Sequence, residues 1–370
     1  MREVLYRLFF IGIMALYSCK PLVHKDINLT KKDSFEFKIN SLFYVQEFLD
    51  ENGSELFYLD VNSDVFYQYS LDSFKLIDSI NLMEFNALKE AKGLISKFYV
   101  NKKDDIFLLS AKLHKVYRLN SGSVTTYIIP KQKNKEVFIG SKWFHVIDST
   151  IFVNGYIYQP TDVDVLNFQE LKMSILNDSI VSLLNNTPIF PIIYSDGKYY
   201  NDLSENNISK CFNNKNESLY SFPIDHNIQL YNNKNGFAES FNAKSDYIDS
   251  FYTTPLAKKL DIQYTMIAYI TAPFYKKIVF DKYRNLYYRI ADHALPIEND
   301  NGKLPLLRNK SWSLIVIDSN FHKLNEFVFS YSDYLPDIIP VKSGLLMAKG
   351  IPKEKLKVKN FLKFDLYEIK

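Results

Sequence analysis

The feature that most constrains this chain is a phrase it keeps repeating: a short alternating apolar segment, a tight polar turn, and another such segment. The phrase is clearest near the front. Leu42 to Leu49, Glu55 to Asp60, Val65 to Tyr69 and Leu76 to Ile80 read as strands, separated by Asp50-Glu51-Asn52-Gly53, Asn62-Ser63-Asp64 and Asp72-Ser73. Period-two alternation places apolar side chains on one face of a pleated strand, and Asn, Asp, Ser and Gly accept turn dihedrals. Four short strands so joined make an antiparallel meander.

The meander returns at a roughly 40-residue spacing, the signature of a repeat architecture. Leu94 to Val100, Ile106 to Leu109, Val116 to Leu119 and Val124 to Ile129 form a second set. Trp143 to Ile147, Ile151 to Tyr158, Val163 to Phe168 and Ile180 to Leu184 form a third. The fourth is Ile189 to Tyr194, Ser218 to Phe222, Ile228 to Tyr231 and Phe237 to Ile248, interrupted by an Asn-rich insert, Asn201 to Asn216. A helical segment is expected at Thr254 to Asp261. The fifth set is Ile278 to Phe280, Leu286 to Ile290, Trp312 to Ile317 and Glu326 to Phe329, with a polar loop, His293 to Lys310. The last set has three clear strands, Ile338 to Val341, Leu345 to Ala348 and Phe361 to Ile369. Ser34 to Asn40 is left over at the front and supplies the missing one. The expected fold is therefore all-β: a β-propeller of about six four-stranded blades, closed by an N-terminal strand joining the C-terminal blade. Two packed β-sandwiches with a boundary near Asn201 to Asn216 are the alternative.

The composition fits strands. Of 370 residues, 16% are aromatic and only 11 are glycine, so turns must draw on Asn, Asp, Ser and Lys. A formal net charge of +3 gives no basic excess, and the lysine run Lys353 to Lys359 reads as an exposed strand approach; no nucleic-acid partner is expected.

The first residues read as an address. Arg2 and Arg7 precede a short apolar run, Leu8 to Leu16, too short for a spanning helix of roughly 20 residues. Leu16-Tyr17-Ser18-Cys19 then resembles a bacterial lipobox, with Tyr17 bulkier than usual. The resemblance implies cleavage before Cys19 and acylation (palmitate-type) of its sulfur and new amino group. The expected organisation is a signal peptide over 1–18, a lipidated cysteine and lysine-rich tether over 19–33, and one propeller domain over 34–370. The expected partner is a membrane, held through lipid on Cys19, in the bacterial cell envelope, with the outer membrane the leading address. An ordinary secretory signal with an incidental cysteine is the alternative. Cys211, the second of two cysteines, then has no internal partner and reads as a half-buried loop thiol.

One hairpin carries more charge than the rest. Phe280-Asp281-Lys282-Tyr283-Arg284-Asn285-Leu286-Tyr287-Tyr288-Arg289-Ile290 places two arginines, a lysine and an aspartate among tyrosines. Asp281, Tyr283, Arg284 and Arg289 are candidate ligand-binding residues, since an arginine fork suits a carboxylate, phosphate or sugar acid. The favoured structural reading is that Asp281 accepts turn hydrogen bonds and that Arg284 or Arg289 pairs with a carboxylate of a neighbouring blade. Alternation puts Tyr287 and Arg289 on one face, and Leu286, Tyr288 and Ile290 on the other. Lys244 beside Ser245 is a further binding candidate, but neighbouring strand residues point apart, which argues against a Ser-Lys nucleophile. Trp143, Phe144, Tyr156 and Tyr158 suit sugar stacking or, more simply, inter-blade packing.

The six histidines, His24, His114, His145, His226, His293 and His322, show no metal-ligand spacing, and there is no Gly-rich phosphate loop or GxSxG elbow. No catalytic residue, metal or cofactor is expected. The lipobox, the meander and three motifs together resemble the domain-of-unknown-function 4221 family, lipoprotein-type six-bladed propellers of Bacteroides-group bacteria. The motifs are Tyr220-Ser221-Phe222-Pro223, Ala243-Lys244-Ser245-Asp246-Tyr247 and Phe280 to Arg289, the last being the most specific. The resemblance implies a fold and an envelope address and carries no catalytic residues with it. The leading expectation is a non-enzymatic binding or scaffold module for an envelope protein, small molecule or glycan. The alternative is a propeller hydrolase or lactonase with its site at the channel mouth.

Overall fold

The computed structural model describes residues 27–37, 45–50, 53–130, 136–158, 167–176, 179–185, 198–199, 208–233, 236, 238–251, 254–255, 262–296, 306–350 and 362–370. After β1 (Leu29–Phe37), blade 1 is β2 (Val45–Asp50), β3 (Gly53–Asp60), β4 (Val65–Ser70) and β5 (Leu76–Asn81). Blade 2 is β6 (Lys97–Lys102), β7 (Asp105–Ser110), β8 (Lys115–Asn120) and β9 (Ser123–Ile128). Blade 3 is β10 (Glu136–Ile147), β11 (Thr150–Tyr158), β12 (Asn167–Leu176) and β13 (Ser179–Asn185). A short strand, β14 (Lys198–Tyr199), precedes blade 4, which is β15 (Ser209–Phe212), β16 (Ser218–Ser221), β17 (Asn227–Tyr231) and β18 (Ala238–Asn242). Then come β19 (Thr254–Pro255), which pairs with β14, and helix α1 (Ile262–Thr271). Blade 5 is β20 (Phe274–Asp281), β21 (Leu286–Asp292), β22 (Ser311–Ile317) and β23 (Lys323–Ser330). Blade 6 is β24 (Tyr334–Val341), β25 (Gly344–Lys349), β26 (Leu362–Ile369) and, from the front of the chain, β1.

The first strands of successive blades, β2, β6, β10, β15, β20 and β24, contact one another in turn and return to the start. They line the axis, and the fourth strand of each blade forms the rim. The last blade completes itself with β1, paired antiparallel to β26 from Leu29↔Ile369 to Phe37↔Leu362. Asn28 and Lys370 extend this pairing by exchanging backbone hydrogen bonds of 3.0 and 3.1 Å.

Each blade interface has its own apolar layer. Phe66, Leu108 and Tyr117 serve blades 1 and 2, Leu109, Val116 and Val153 blades 2 and 3, and Trp143, Tyr220 and Tyr231 blades 3 and 4. Cys211, Tyr275 and Tyr287 lie between blades 4 and 5, Tyr288, Trp312 and Met347 between 5 and 6, and Phe37, Tyr58 and Phe364 across the closing seam. Each buried aromatic or aliphatic side chain contributes about 1.5–3 kcal/mol. The turns use the residues the glycine shortage demands: Asp64, Ser121, Asp148, Ser149, Asn216 and Asn285 all adopt positive φ.

Five readings differ from expectation. The third strand of blade 3, read at Val163 to Phe168, is β12 at Asn167–Leu176, and 163–166 lie outside the described residues. β1 starts at Leu29, so the strand read at Ser34 to Asn40 begins earlier, within the stretch read as tether. The first strand of blade 4 is β15, inside the supposed Asn-rich insert, while Ile189 to Tyr194 lies outside the described residues. Tertiary pairing with β16 overrides the polar composition there. Thr254-Pro255 pairs as a strand, and the helix comes later, at Ile262–Thr271. Cys211 is a core residue of β15; burial pushes its thiol well above the usual range.

The strand directions give the ring two unlike faces. Turns between first and second strands and between third and fourth strands share one face, here the hairpin face. They are short, the longest being 232–237. Turns between second and third strands and every blade-to-blade connection share the other, the crossover face. Its described residues include 82–96, 243–251, 262–273, 293–296 and 306–310.

Candidate functional site

The charged hairpin is the β20–β21 turn on the hairpin face of blade 5. Asp281 ends β20 with its carboxylate fully buried. Its Oδ1 accepts the backbone N–H groups of Tyr283 (3.0 Å) and Arg284 (3.1 Å), and this cap lets the chain reverse at Asn285. Its Oδ2 accepts from the Tyr288 hydroxyl and from Arg284 Nη1, both at 2.8 Å. Burial and the neighbouring carboxylate push the Tyr288 hydroxyl far up, so it stays a donor.

Arg284 then leaves its own blade. Nη1 donates to the carbonyls of Val341 (3.2 Å) and Gly344 (3.3 Å), and Nη2 to those of Val341 (3.3 Å) and Lys342 (3.1 Å). These belong to the β24–β25 turn of blade 6. A planar fork with fixed donors suits such a cluster of carbonyls better than an ammonium would. A cleft of about 330 Å³ lies beside this turn, lined by Ser54, Leu71, Asp72, Val341, Lys342 and Ser343, at the seam of blades 6 and 1.

Arg289 goes the other way. It is wholly buried, with its guanidinium 3.4 Å from the Tyr275 ring centre. Nε donates to Ser221 Oγ (2.8 Å); Nη1 donates to the carbonyls of His226 (2.7 Å) and Ala243 (3.0 Å); Nη2 donates to those of Phe222 (3.3 Å), Asp225 (2.6 Å) and Asn227 (3.2 Å). All belong to blade 4 and its connections. The partner expected from the sequence, a carboxylate of the neighbouring blade, is not what it meets: among the described residues backbone carbonyls take that place, and burial lowers the guanidinium to about 10 against the pull of the Tyr275 and Asp225 charges. It remains charged at neutral pH. The face alternation read from the sequence holds: Tyr287 packs toward blade 4 with Arg289, and Tyr288 and Ile290 pack toward blade 6.

Lys244 and Ser245 diverge. Ser245 Oγ donates to Glu326 Oε1 at 2.5 Å, its N–H donates to the Tyr275 hydroxyl at 2.9 Å, and Lys244 Nζ stands 3.9 Å from Asp249 on the surface. Glu326 also accepts from Ser313 Oγ, from the Asp246 N–H (2.8 Å) and from Lys323 (2.6 Å), so the motif pins the blade 4 rim to blade 5. The three motifs thus converge on one seam: Ser221 and Phe222, Ala243 and Ser245, and Arg289 all meet around Tyr275. Of the aromatic candidates, Trp143 and Phe144 are buried between blades. The side chains of Tyr156 and Tyr158, and Cys19, lie outside the described residues.

Three buried lysines were not anticipated. Lys172 and Lys210, on facing strands of blades 3 and 4, lie among aromatic rings: Lys210 Nζ is 4.1 Å from Phe212 and 4.8 Å from Phe152, and Lys172 Nζ is 5.2 Å from Tyr231. A lysine in the inward phase of an aromatic strand was the available signal. Beside them on the inner strand β10, burial pushes His145 down to about 3, with Lys210 and Lys97 adding to it. On blade 5, Lys310 is buried against Asp292 (3.6 Å) and donates to the Ala272 carbonyl (2.8 Å) at the end of α1. Among the described residues no group of three His, Cys, Asp or Glu side chains is placed to hold a metal.

Six radially arranged four-stranded antiparallel sheets, closed by a strand from the opposite terminus, define a six-bladed β-propeller. The family model described as a domain of unknown function, DUF4221, matches residues 26–327, and the chain belongs to that family. A DUF4221 member from Bacteroides vulgatus superposes with a TM-score of 0.71 at 16% identity, covering 93% of this chain and 98% of that one. A Bacteroides fragilis protein provisionally described as exported gives a TM-score of 0.49 at 12% identity, covering 93% of this chain and 95% of its own. A streptogramin B lyase gives 0.45 at 9% identity, covering 93% and 98%. No curated protein matches the sequence.

Proposed function

We propose that this chain is a lipid-anchored propeller of the bacterial envelope, outer membrane foremost, and that it serves as a non-enzymatic binding or scaffold module. The observation that carries the reading is the sorting of connections. Short turns close one face of the ring, while the described residues of the longer connections, 82–96, 243–251, 262–273 and 306–310 among them, gather on the other. A rigid scaffold presenting variable loops is the usual design for recognition. The lipobox at Cys19 supplies the anchor. Arg284 and Arg289 support the scaffold in this reading, since internal carbonyls engage their forks.

Mild cross-linking of native envelopes, purification of the protein and mass spectrometry test the module. A stoichiometric partner, retained in folded Arg284→Ala, is the expected result. Absence of any partner, together with turnover in a hydrolase and lactonase screen, would replace this reading with the enzymatic one. The anchor has its own test: Cys19→Ala should release the protein from membranes, and unchanged retention with no lipid mass on the mature N-terminus would refute it.

A further inference from the structure

The ring closure fixes where a tether leaves the molecule. β1 runs from the hairpin face at Leu29 to the crossover face at Phe37, because it is the fourth strand of its blade and feeds into β2. It is also the outermost strand, at the rim. The residues just before it are held in place. Ile27 is buried in the layer between blades 5 and 6, and its carbonyl accepts from Asn325 Nδ2 at 2.8 Å. Asn325 is near the start of β23, again at the hairpin face. The chain therefore departs toward Cys19 from a fixed point on the rim of the hairpin face.

Only Lys20 to Asp26 separate Cys19 from Ile27. Fully extended at roughly 3.3–3.6 Å per residue, that stretch reaches no more than about 28 Å. A strand of the length of β1 or β20 already spans about 25–30 Å. A tether leaving the hairpin face could reach the plane of the opposite face only by running taut along the rim. The long crossover connections would then hold the ring still further from the bilayer. Charge does not oppose a hairpin face turned to the bilayer: the described exposed turn residues of that face include Lys75, Lys103, Lys215, Lys282 and Lys342 against Asp72, Asp104 and Asp148, a lysine excess that suits an anionic bilayer surface.

We propose that the anchored propeller stands with its hairpin face against the membrane and its crossover face turned away, so that the crossover connections form the surface offered to envelope partners. This rests on lipidation at Cys19 and adds to it an orientation. The outward face is then the one carrying 82–96 and α1, where the uncharged helix exposes Met266 and Tyr269, and the β21–β22 connection exposes Leu306 and Leu307.

The test uses full-length lipidated protein in phospholipid vesicles containing an acceptor-labelled headgroup lipid. Donor dyes are placed on Lys282→Cys or Asn320→Cys at the hairpin face, and on Lys89→Cys or Ser332→Cys at the crossover face. The labels differ in height by about a strand length, ~25 Å. Quenching about twofold or more stronger at Lys282 and Asn320 is expected. Inserting a flexible Gly/Ser segment of about 20 residues before Ile27 should erase the difference. Equal or reversed quenching in protein that floats with the vesicles would overturn the orientation alone. A difference that survives the insertion would overturn the tether as its cause. Failure of the protein to float would overturn the anchoring and the orientation together.

Discussion

Arg284 and Arg289 share one hairpin yet tie blade 5 to different neighbours: Arg284 binds the Val341 and Lys342 carbonyls of blade 6, and Arg289 binds the Asp225 and His226 carbonyls at blade 4. One lies in the turn and the other on the strand face opposite Tyr288, so the hairpin geometry itself sends them apart. A propeller has no element that crosses its ring, so each seam must be held by what two adjacent blades offer. Here a single motif serves two of the six seams.

Replacing Arg289 should therefore be costly. Arg289→Ala removes the donors of several buried carbonyls and leaves a void against Tyr275. Unsatisfied buried acceptors and a cavity together imply a loss of about 3–5 kcal/mol. Arg289→Lys should recover little, because one ammonium cannot span acceptors grouped around both ends of a guanidinium. Urea denaturation followed by tyrosine and tryptophan fluorescence checks both. A change under about 1 kcal/mol for Arg289→Ala would show that the seam holds without it.

Arg284→Ala should cost less, about 1–3 kcal/mol, because its side chain is partly solvated and water can reach the freed carbonyls. Asp281→Asn should be comparable or worse. It weakens the turn cap and turns a buried acceptor toward the Tyr288 hydroxyl and Arg284 with one oxygen fewer. Hydrogen exchange should localise the Arg284→Ala effect to the β20–β21 and β24–β25 turns. Exchange that rises instead at the blade 4 seam would contradict the assignment of this arginine to blade 6.

Much of the ring was legible in the sequence, and the reasons are local. Period-two alternation and Asn/Asp/Ser turns mark blades 1, 2 and 5 almost strand for strand, and the three-strand remainder at the C-terminus called for a strand from the front. The face split of Tyr287 and Arg289 also follows from alternation. Which seam each arginine enters does not, because that depends on the order of blades in space. β15 was hidden because Ser209-Lys210-Cys211-Phe212 becomes strand-like only through pairing with β16 and the rings around Lys210. α1 was misplaced because Ile262 to Thr271 is rich in β-branched and aromatic residues, a composition that favours strands. Lys172 and Lys210 were missed because most of the rings around them, such as Phe152 and Tyr231, come from other strands, and the local signal, Phe212 two residues from Lys210, was weak on its own.

Gly344, at the β24–β25 turn, is a packing requirement. A Cβ there would collide with the Tyr367 carbonyl and press on a Leu366 methyl. The backbone of β26 cannot withdraw without disturbing its pairing with β1 and β25. Gly344→Ala should destabilise the closing blade by about 1–3 kcal/mol, read as a lower thermal midpoint. An unchanged midpoint would mean that the turn relaxes freely, and the Arg284 contacts to the same turn would then be equally soft.

The closing seam also has a titratable clasp, and its pH dependence can be signed. Asp365 on β26 is buried; its carboxylate accepts from Ser34 on β1 (2.7 Å) and Tyr334 on β24 (2.6 Å) and pairs with Lys31 on β1 (2.8 Å). Burial opposes its ionisation, but the hydrogen bonds from Lys31, Tyr334 and Ser34 outweigh that and hold the carboxyl below its usual range. The folded chain therefore binds this proton less readily than the unfolded chain. The clasp's contribution is complete above the unfolded value near 4 and is lost as pH falls through the depressed folded value. Asp365→Asn should lower stability by about 1–3 kcal/mol at neutral pH, and its deficit relative to wild type should shrink steadily below about pH 4. Thermal melts of both proteins from pH 7 to pH 3 measure this directly. A deficit that stays constant across the range would show that Asp365 acts through shape rather than charge.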